Sequence, residues 1–529
     1  MDRPHDLLRT NVAVAAGTAV SRVTGLARIV VFGIIIGQTA VADAYDGANN
    51  SPNSLYELLI GGVFSAALVP VFTRLFHDRD SESERAVFST AVVALAALTA
   101  IAVAAAPLIF RLFSLNPSNV VDVDQYRDVG TMLARVFLVQ IFFYGVTALA
   151  SAALNARRRF VAAAWAPVAS NIVVIALLAL IPMAIDGRAS LDTIQDDSMV
   201  RWLLGTGSTL GIATTSLIVL LIARRAGLSV GLRPNFRHPA VRRLARLSMW
   251  TFGYVLTNQI ALVTVRNLAE PGSGGPDAYT KAFTFFQLPH ALLAVSIATT
   301  FAPELARAAA GNDRGAFVGR LSLGVRLITL LTLPFTVLLA VTARPIVGAV
   351  LQHGNFTAQA AYETARALTG FSVGLVGFSV YLFVLRGFYA HEDTRTPFAI
   401  NLFENALNIA LAIVLVGRHG VLGLGLAFGI AYLVSAVVAL FVVERRYPEF
   451  ASLALIRSLA PMLVSALVAC VAAWAMGRAV GATAGVGALA RTTASFVVGG
   501  AVYVGTLKIL RVPETASLVE RIRRFSAAR

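Results

Sequence analysis

The chain has 529 residues, of which 57% are hydrophobic and only 14% charged, with a mean hydropathy of +0.74, a formal net charge of +16 and one cysteine. Soluble globular chains run at about 45–50% apolar and about 25% charged residues, so this one has too little charge to cover a water-facing surface and reads as an integral membrane protein. The lone Cys470, in the apolar run LVACVAA, excludes an intramolecular disulfide and a cysteine metal cluster.

A membrane-crossing helix needs about 20 apolar residues, and such runs recur from Leu7 almost to the C-terminus, too long for the roughly 10-residue strands of a barrel. In chain order the apolar windows predict fourteen transmembrane helices, at 11–37, 43–72, 87–110, 130–154, 160–185, 202–223, 247–268, 277–303, 322–350, 361–386, 397–417, 420–443, 456–477 and 486–508. Arg3 and Arg9 before the first run resemble the start of a signal peptide. The length of that run, its Arg22 and Arg28, and the lack of a small-residue cleavage site mark it instead as a retained helix. Basic connections follow the even-numbered helices, at 74–85, 157–159 (Arg157, Arg158, Arg159), 224–246, 307–320, 386–395 and 445–446. The connection at 224–246 holds seven arginines and no acid, whereas 186–197 holds four aspartates against Arg188. The positive-inside rule then places both termini in the cytoplasm, and most of the +16 is topology rather than a nucleic-acid footprint.

Sliding the chain on itself by 237 residues lays Pro52 on Pro289, Tyr144 on Tyr381 and Asn171 on Asn408, and the first six helices on the next six. Such a duplication predicts two six-helix lobes related by a parallel pseudo-two-fold axis, with a cavity between them: a transporter plan. The organisation expected is an N-lobe at 1–225, a basic cytoplasmic linker at 226–246, a C-lobe at 247–443, and an appended helix pair with a cytoplasmic tail at 444–529. Pro52, followed by Asn53, and Pro289 lie in the second helix of each half, where proline is expected to break the helix and serve gating.

Charged groups inside these helices are informative, since each costs about 2.5–3.5 kcal/mol near a helix centre on insertion scales. Among them are Arg22, Arg28, Asp43, Asp46, Glu57, Arg135, Lys281, Arg326 and Glu404. Arg22 and Arg28, six residues apart, differ by about 120° in azimuth and about 9 Å in height, so their guanidinium forks could converge on an anionic head group. A structural pair of Arg28 with Asp43 is the alternative. For Arg135, Lys281 and Arg326, snorkelling to a helix end competes with ligand contact. Glu404 and Asn408 stand i, i+4 with Asn405 beside them, which suits either a Na+ or proton site or polar contact between packed helices. The glycines at 423, 425 and 429 fit GxGxxG only loosely and are read as helix packing. No GxxxxGK[ST] or HExxH occurs, so no ATPase or zinc-hydrolase site is expected and the chain is not read as an enzyme.

SRVTGLARI at 21–29, ADAYDGANNSPNSLYELLIGGVFSAALVPVF at 42–72, LQHGNFTA at 351–358 and RGFYAHEDTRTP at 386–397 resemble the MurJ (MviN) family of lipid II flippases, within the multidrug/oligosaccharidyl-lipid/polysaccharide exporter superfamily. The Tyr-Glu-Leu-Leu variant at 56–59 is similar to the actinobacterial branch. The resemblance implies a fourteen-helix all-α protein of the bacterial plasma membrane that flips an undecaprenyl-pyrophosphate-linked peptidoglycan precursor outward by alternating access through a cationic cavity. It implies membrane lipids and cell-wall synthesis or division proteins as further partners, and no nucleic acid. The family's first-helix arginines fall on Arg22 and Arg28 and its second-helix aspartate on Asp43. Its usual residues are replaced by Ile29, by Tyr56 and Glu57, and near Thr284, with Lys281 one turn earlier as the candidate substitute. No cofactor is expected apart from Na+ or H+ as a coupling ion at Glu404, Asn405 and Asn408. The alternatives are an exporter of another polyprenyl-linked glycan, an exporter of cationic drugs, and a non-transporting cell-wall scaffold.

Overall fold

A computed structural model describes residues 4–56, 72–78, 80–157, 159–185, 187–229, 231, 234–235 and 249–514. Arg3, Glu57 with the rest of the second expected helix, Arg158, Asp186, most of the 226–246 linker and the tail from 515 lie outside the described residues. Among the described residues the regular structure is helical throughout. Eleven helical segments are long and apolar enough to cross a membrane, or twelve when one bent pair is taken as a single span. Two of the fourteen expected windows are not among them: 43–72, half of which is undescribed, and 247–268, where Asn258, Gln259, Arg266 and Asn267 interrupt the apolar run.

Packing groups the chain into two compact units, Met1–Asp277 with His353–Phe356, and Ala278–Gln352 with Thr357–Arg529. The first contains α1 (Pro4–Ile36), α2 (Ala40–Tyr56), α3 (Ser81–Ala104), α4 (Ala106–Leu112), α5 (Val123–Leu138), α6 (Gln140–Ala156), α7 (Val161–Leu178), α8 (Leu191–Asp196), α9 (Ser198–Arg225), α10 (Met249–Leu268) and the start of α11 (Gly275–Pro289). Aspartates fix several starts: Asp80 accepts from the Ser83 N–H at 2.9 Å and Asp122 from the Gln125 N–H at 2.8 Å, each satisfying a donor with no partner in its own helix. The core of this unit joins Ile36 and Val41 to Phe110, Tyr126, Leu133 and Phe137. Gly130 lets α5 approach so closely that any β-carbon there would collide with the Phe110 ring.

The second unit contains the rest of α11, then α12 (Val295–Ala310), α13 (Arg314–Val350), α14 (Ala358–Ser372), α15 (Leu375–Tyr389), α16 (Arg395–His419), α17 (Val421–Arg446), α18 (Ser452–Ser458), α19 (Ala460–Val480) and α20 (Gly485–Ile509). The long α13 packs α19 and α20 against Leu330 and Leu333, and the Tyr503 hydroxyl donates to the Leu330 carbonyl at 2.9 Å. The expected 361–386 helix is bent by 50° between α14 and α15. Gly370, Gly374 and Gly377 there meet Gly425, Gly429 and Leu433 of α17 backbone to backbone, so the glycine-rich stretch serves helix packing, as its membrane setting implies.

Neither proline stops the helical run it lies in. Pro52 lies inside α2, four residues before its last described position. Pro289 closes α11, His290–Ala294 wind as one π-turn, and α12 carries the same span onward to Ala310. A π-turn holds one residue more than an α-turn and keeps the backbone hydrogen-bonded, here from the Val295 N–H to the His290 carbonyl.

Candidate functional site

Because α1 runs unbroken from Pro4 to Ile36, Arg22 and Arg28 keep the helical spacing read from the sequence. Arg22 is exposed and Arg28 half-buried, and neither makes an ion pair or hydrogen bond among the described residues. Their helix is held by polar contacts. Asn171 of α7 donates to the Thr24 hydroxyl at 3.0 Å and to the Ser21 carbonyl at 3.3 Å, with Gly25 leaving room for the amide. Arg28, seven residues after Ser21, falls on the same stripe about 10 Å farther along. Tyr45 stands within electrostatic range of Arg28 and is fixed by a hydrogen bond with Ser208 and by ring contacts with Phe32 and Phe137.

Asp43 does not pair with Arg28. It is 1% exposed, and its carboxylate accepts three backbone N–H bonds, from Gly272 at 2.9 Å and Gly274 at 2.7 Å on one oxygen and from Asp277 at 2.9 Å on the other. Gly272 (φ +96°) and Gly274 (φ +87°) adopt left-handed backbone that turns their N–H groups inward, and the positive end of α11 adds to the attraction. One turn along α2, Asp46 forms an ion pair with Arg266, whose side chain is 3% exposed. Asn267 caps the end of α4: its oxygen accepts from the Leu115 N–H at 2.6 Å, and its amide donates to the Leu112 carbonyl at 2.7 Å. The sequence reading missed Arg266 and Asn267. The available signal was that Asp43 and Asp46 share a helix face, while Arg266 is the one basic residue in the 249–268 helix.

A second missed cluster ties connections together in the same unit. Arg157 and Glu84 are 2.6 Å apart with side chains 5% exposed each, so Arg157 is not a solvated loop charge. Arg157 also donates to the Gly227 carbonyl at 3.1 Å, and Glu84 accepts from the Ser229 N–H at 3.2 Å.

Of the remaining expected site residues, Asn53 is half-buried and Pro52 buried in α2. Lys281 is 3% exposed in α11, too enclosed to snorkel to solvent. Arg135 is exposed, and Arg326 pairs with Glu514 at 2.8 Å. Glu404, Asn405 and Asn408 are brought together on the buried face of α16, with Asn401 one turn earlier. Neither Glu404 carboxylate oxygen, nor the Asn408 side-chain oxygen, has a hydrogen-bond donor among the described residues. A carboxylate and an amide oxygen lacking donors fit a hard monovalent cation or a proton.

The fold is shared with solved proteins. A chain described as "Lipid II flippase MurJ, inward closed conformation" matches with a TM-score of 0.74 at 22% identity, covering 94% of this chain and 98% of that one. An inward-facing multidrug resistance MATE family transporter of the MOP superfamily matches with a TM-score of 0.59 at 15% identity, covering 81% and 98%. The shared fold and the apolar helices define the class, a multi-pass helical membrane protein. Within that class the sequence is more specific. Residues 32–494 match the family model described as Lipid II flippase MurJ, and the chain belongs to that family, one of transporters rather than enzymes. Similar chains include the Probable lipid II flippase MurJ of Rhizobium tropici, 29% identical over 467 residues, covering 87% of this chain and 85% of that one. The Lipid II flippase MurJ of Burkholderia cenocepacia is 28% identical over 457 residues, covering 83% and 84%.

Proposed function

We propose that this chain flips lipid II, the undecaprenyl-pyrophosphate-linked peptidoglycan precursor, from the inner to the outer leaflet of a bacterial plasma membrane by alternating access. The observation that carries the reading is the presence of Arg22 and Arg28 on an unbroken membrane helix with no counter-charge bound to either among the described residues. Two guanidinium groups left unneutralised among the described residues suit a pyrophosphate, which their planar forks can bind bidentately. Asp43 acts by position: it holds the turn at 272–277 and leaves anion binding to the arginines. Lys281 supplies a further cation in place of the family's usual eighth-helix arginine. The plan behind the reading has fourteen helices, a duplicated set of six, a helix pair appended after 444, and both termini in the cytoplasm.

A pyrophosphate carries about two negative charges, and each is worth about 2.3 kcal/mol per 100 mV, so an inside-negative potential favours export by roughly 4–5 kcal/mol. For the return step, Glu404 with the Asn405 and Asn408 amides would hold Na+ or H+, whose charge relieves a carboxylate that lacks a donor. The test is lipid II transfer in vesicles reconstituted with the full chain. Transfer should speed up when an inside-negative potential is imposed and slow when it is collapsed; equal rates would remove the electrical drive.

A further inference from the structure

The first unit carries a groove outside the residues just discussed. It lies between the start of α7 and the end of α9, has a volume of about 580 Å3, and is lined by Phe160, Val161, Trp165, Ile218 and Ile222 with Arg159 at its lip. That is within the roughly 300–1,000 Å3 of small-molecule sites. One wall is fixed. The Trp165 indole donates to the Ala13 carbonyl at 3.0 Å, and Gly17 lies so close beneath the ring that a β-carbon there would stand 2.6 Å from it. Phe160 and Trp165 are each 41% exposed at the end of a membrane-spanning helix, where aromatic side chains mark the head-group level.

Arg159 is the one charged side chain among the described residues that line the groove. Ile218, Ile222 and Arg225 follow at i, i+4 and i+7, so Arg225 extends the stripe that lines the groove. Arg159 and Arg225 are exposed and make no ion pair among the described residues. Glu84, the carboxylate tied to this corner, is already engaged by Arg157 and the Ser229 N–H. An apolar slot with one guanidinium at its lip and a second on the helix stripe that continues it, neither paired among the described residues, is complementary to one amphiphile with an anionic head.

We propose that this groove is a binding site for a single anionic phospholipid, its acyl chain against Trp165, Ile218 and Ile222 and its phosphate on Arg159 and Arg225. The second unit supplies an internal control. A groove of about 460 Å3 at the end of α17 is lined by Phe441, Val442, Arg445 and Pro448, but Glu444 sits at its lip and offsets the arginine. That groove takes lipid without preference for charge.

The experiment reconstitutes the full chain in nanodiscs of equimolar phosphatidylglycerol and phosphatidylcholine with matched acyl chains and counts the lipids retained on release by native mass spectrometry. One phosphatidylglycerol should be retained, preferred by about fivefold for each arginine. R159Q/R225Q should abolish the preference while thermal unfolding in pure phosphatidylcholine stays unchanged. Ile218→Trp, which fills the groove, should abolish retention with both arginines in place. Equal retention of the two lipids by the native chain, or an undiminished preference in R159Q/R225Q or in Ile218→Trp, would overturn the assignment. Displacement of the retained lipid by equimolar lipid II would also overturn it, since the groove would then serve the transported molecule.

Discussion

At the scale of single residues, Asp43 and Arg28 show how similar intramembrane charges come to different uses. Both stood out in the sequence as expensive groups inside helices, and a mutual ion pair was one way to offset that expense. The structure satisfies Asp43 with three N–H groups from a glycine turn 229 to 234 residues away in sequence, a partner set no local pattern announces. Arg28 has no such partner among the described residues. An asparagine at 43 keeps one acceptor oxygen and an alanine keeps none, and each buried N–H left unsatisfied costs about 1–3 kcal/mol. Melting temperature should therefore fall in the order native, Asp43→Asn, Asp43→Ala. Equal melting of native and alanine forms would contradict the capping role.

At the scale of elements, the legible features were those with a period. The apolar windows predicted most of the helices because hydropathy over about 20 residues is a property of the window itself. The glycines of α17 were legible as packing because small residues in a membrane helix have few other uses. The π-turn after Pro289 was not legible, since proline forces a local accommodation and the sequence does not say whether the helix ends or rewinds. A methyl group on Gly374 would collide with the Gly429 Cα, so Gly374→Ala should destabilise the chain by about 1–3 kcal/mol in thermal unfolding. Gly500→Ala, in α20 with nothing within 4 Å, should be neutral or mildly stabilising. If both substitutions behave alike, close backbone approach is not what holds α14 and α15 to α17.

The connection between α15 and α16 gives a prediction in pH. Partial burial raises the Asp393 carboxyl, but hydrogen bonds from the Thr396 backbone and hydroxyl, from Arg446 and from the Arg395 N–H outweigh it and hold the group below its ordinary 3.8. A depressed folded-state value means that the stabilisation is fully present above about pH 3.8 and is lost as pH falls through the folded value. The stability difference between native and Asp393→Asn should thus be constant from neutral pH down to mildly acidic conditions and shrink only in strong acid. A difference that instead grew on acidification would contradict this sign.

At the scale of the whole molecule, composition identified a polytopic membrane protein, the internal offset of 237 residues predicted a transporter plan, and four short motifs identified its family. Exporters of this fold share their helical plan with proteins of other cargo, so substrate class rests on the site. The site proposed above is Arg22 and Arg28, which were legible as charges that a membrane helix retains at a cost. The ion pairs of Arg157 with Glu84 and of Arg266 with Asp46 were not legible, because each joins helices far apart in sequence.

The most direct test of the central claim is to deplete the protein in its own host and measure lipid II on the inner leaflet, with rescue by the native chain and by an Arg22→Ala, Arg28→Ala double variant of equal abundance. The account predicts accumulation that the native chain reverses and the double variant does not. Absence of accumulation, or equal rescue by both, would contradict it.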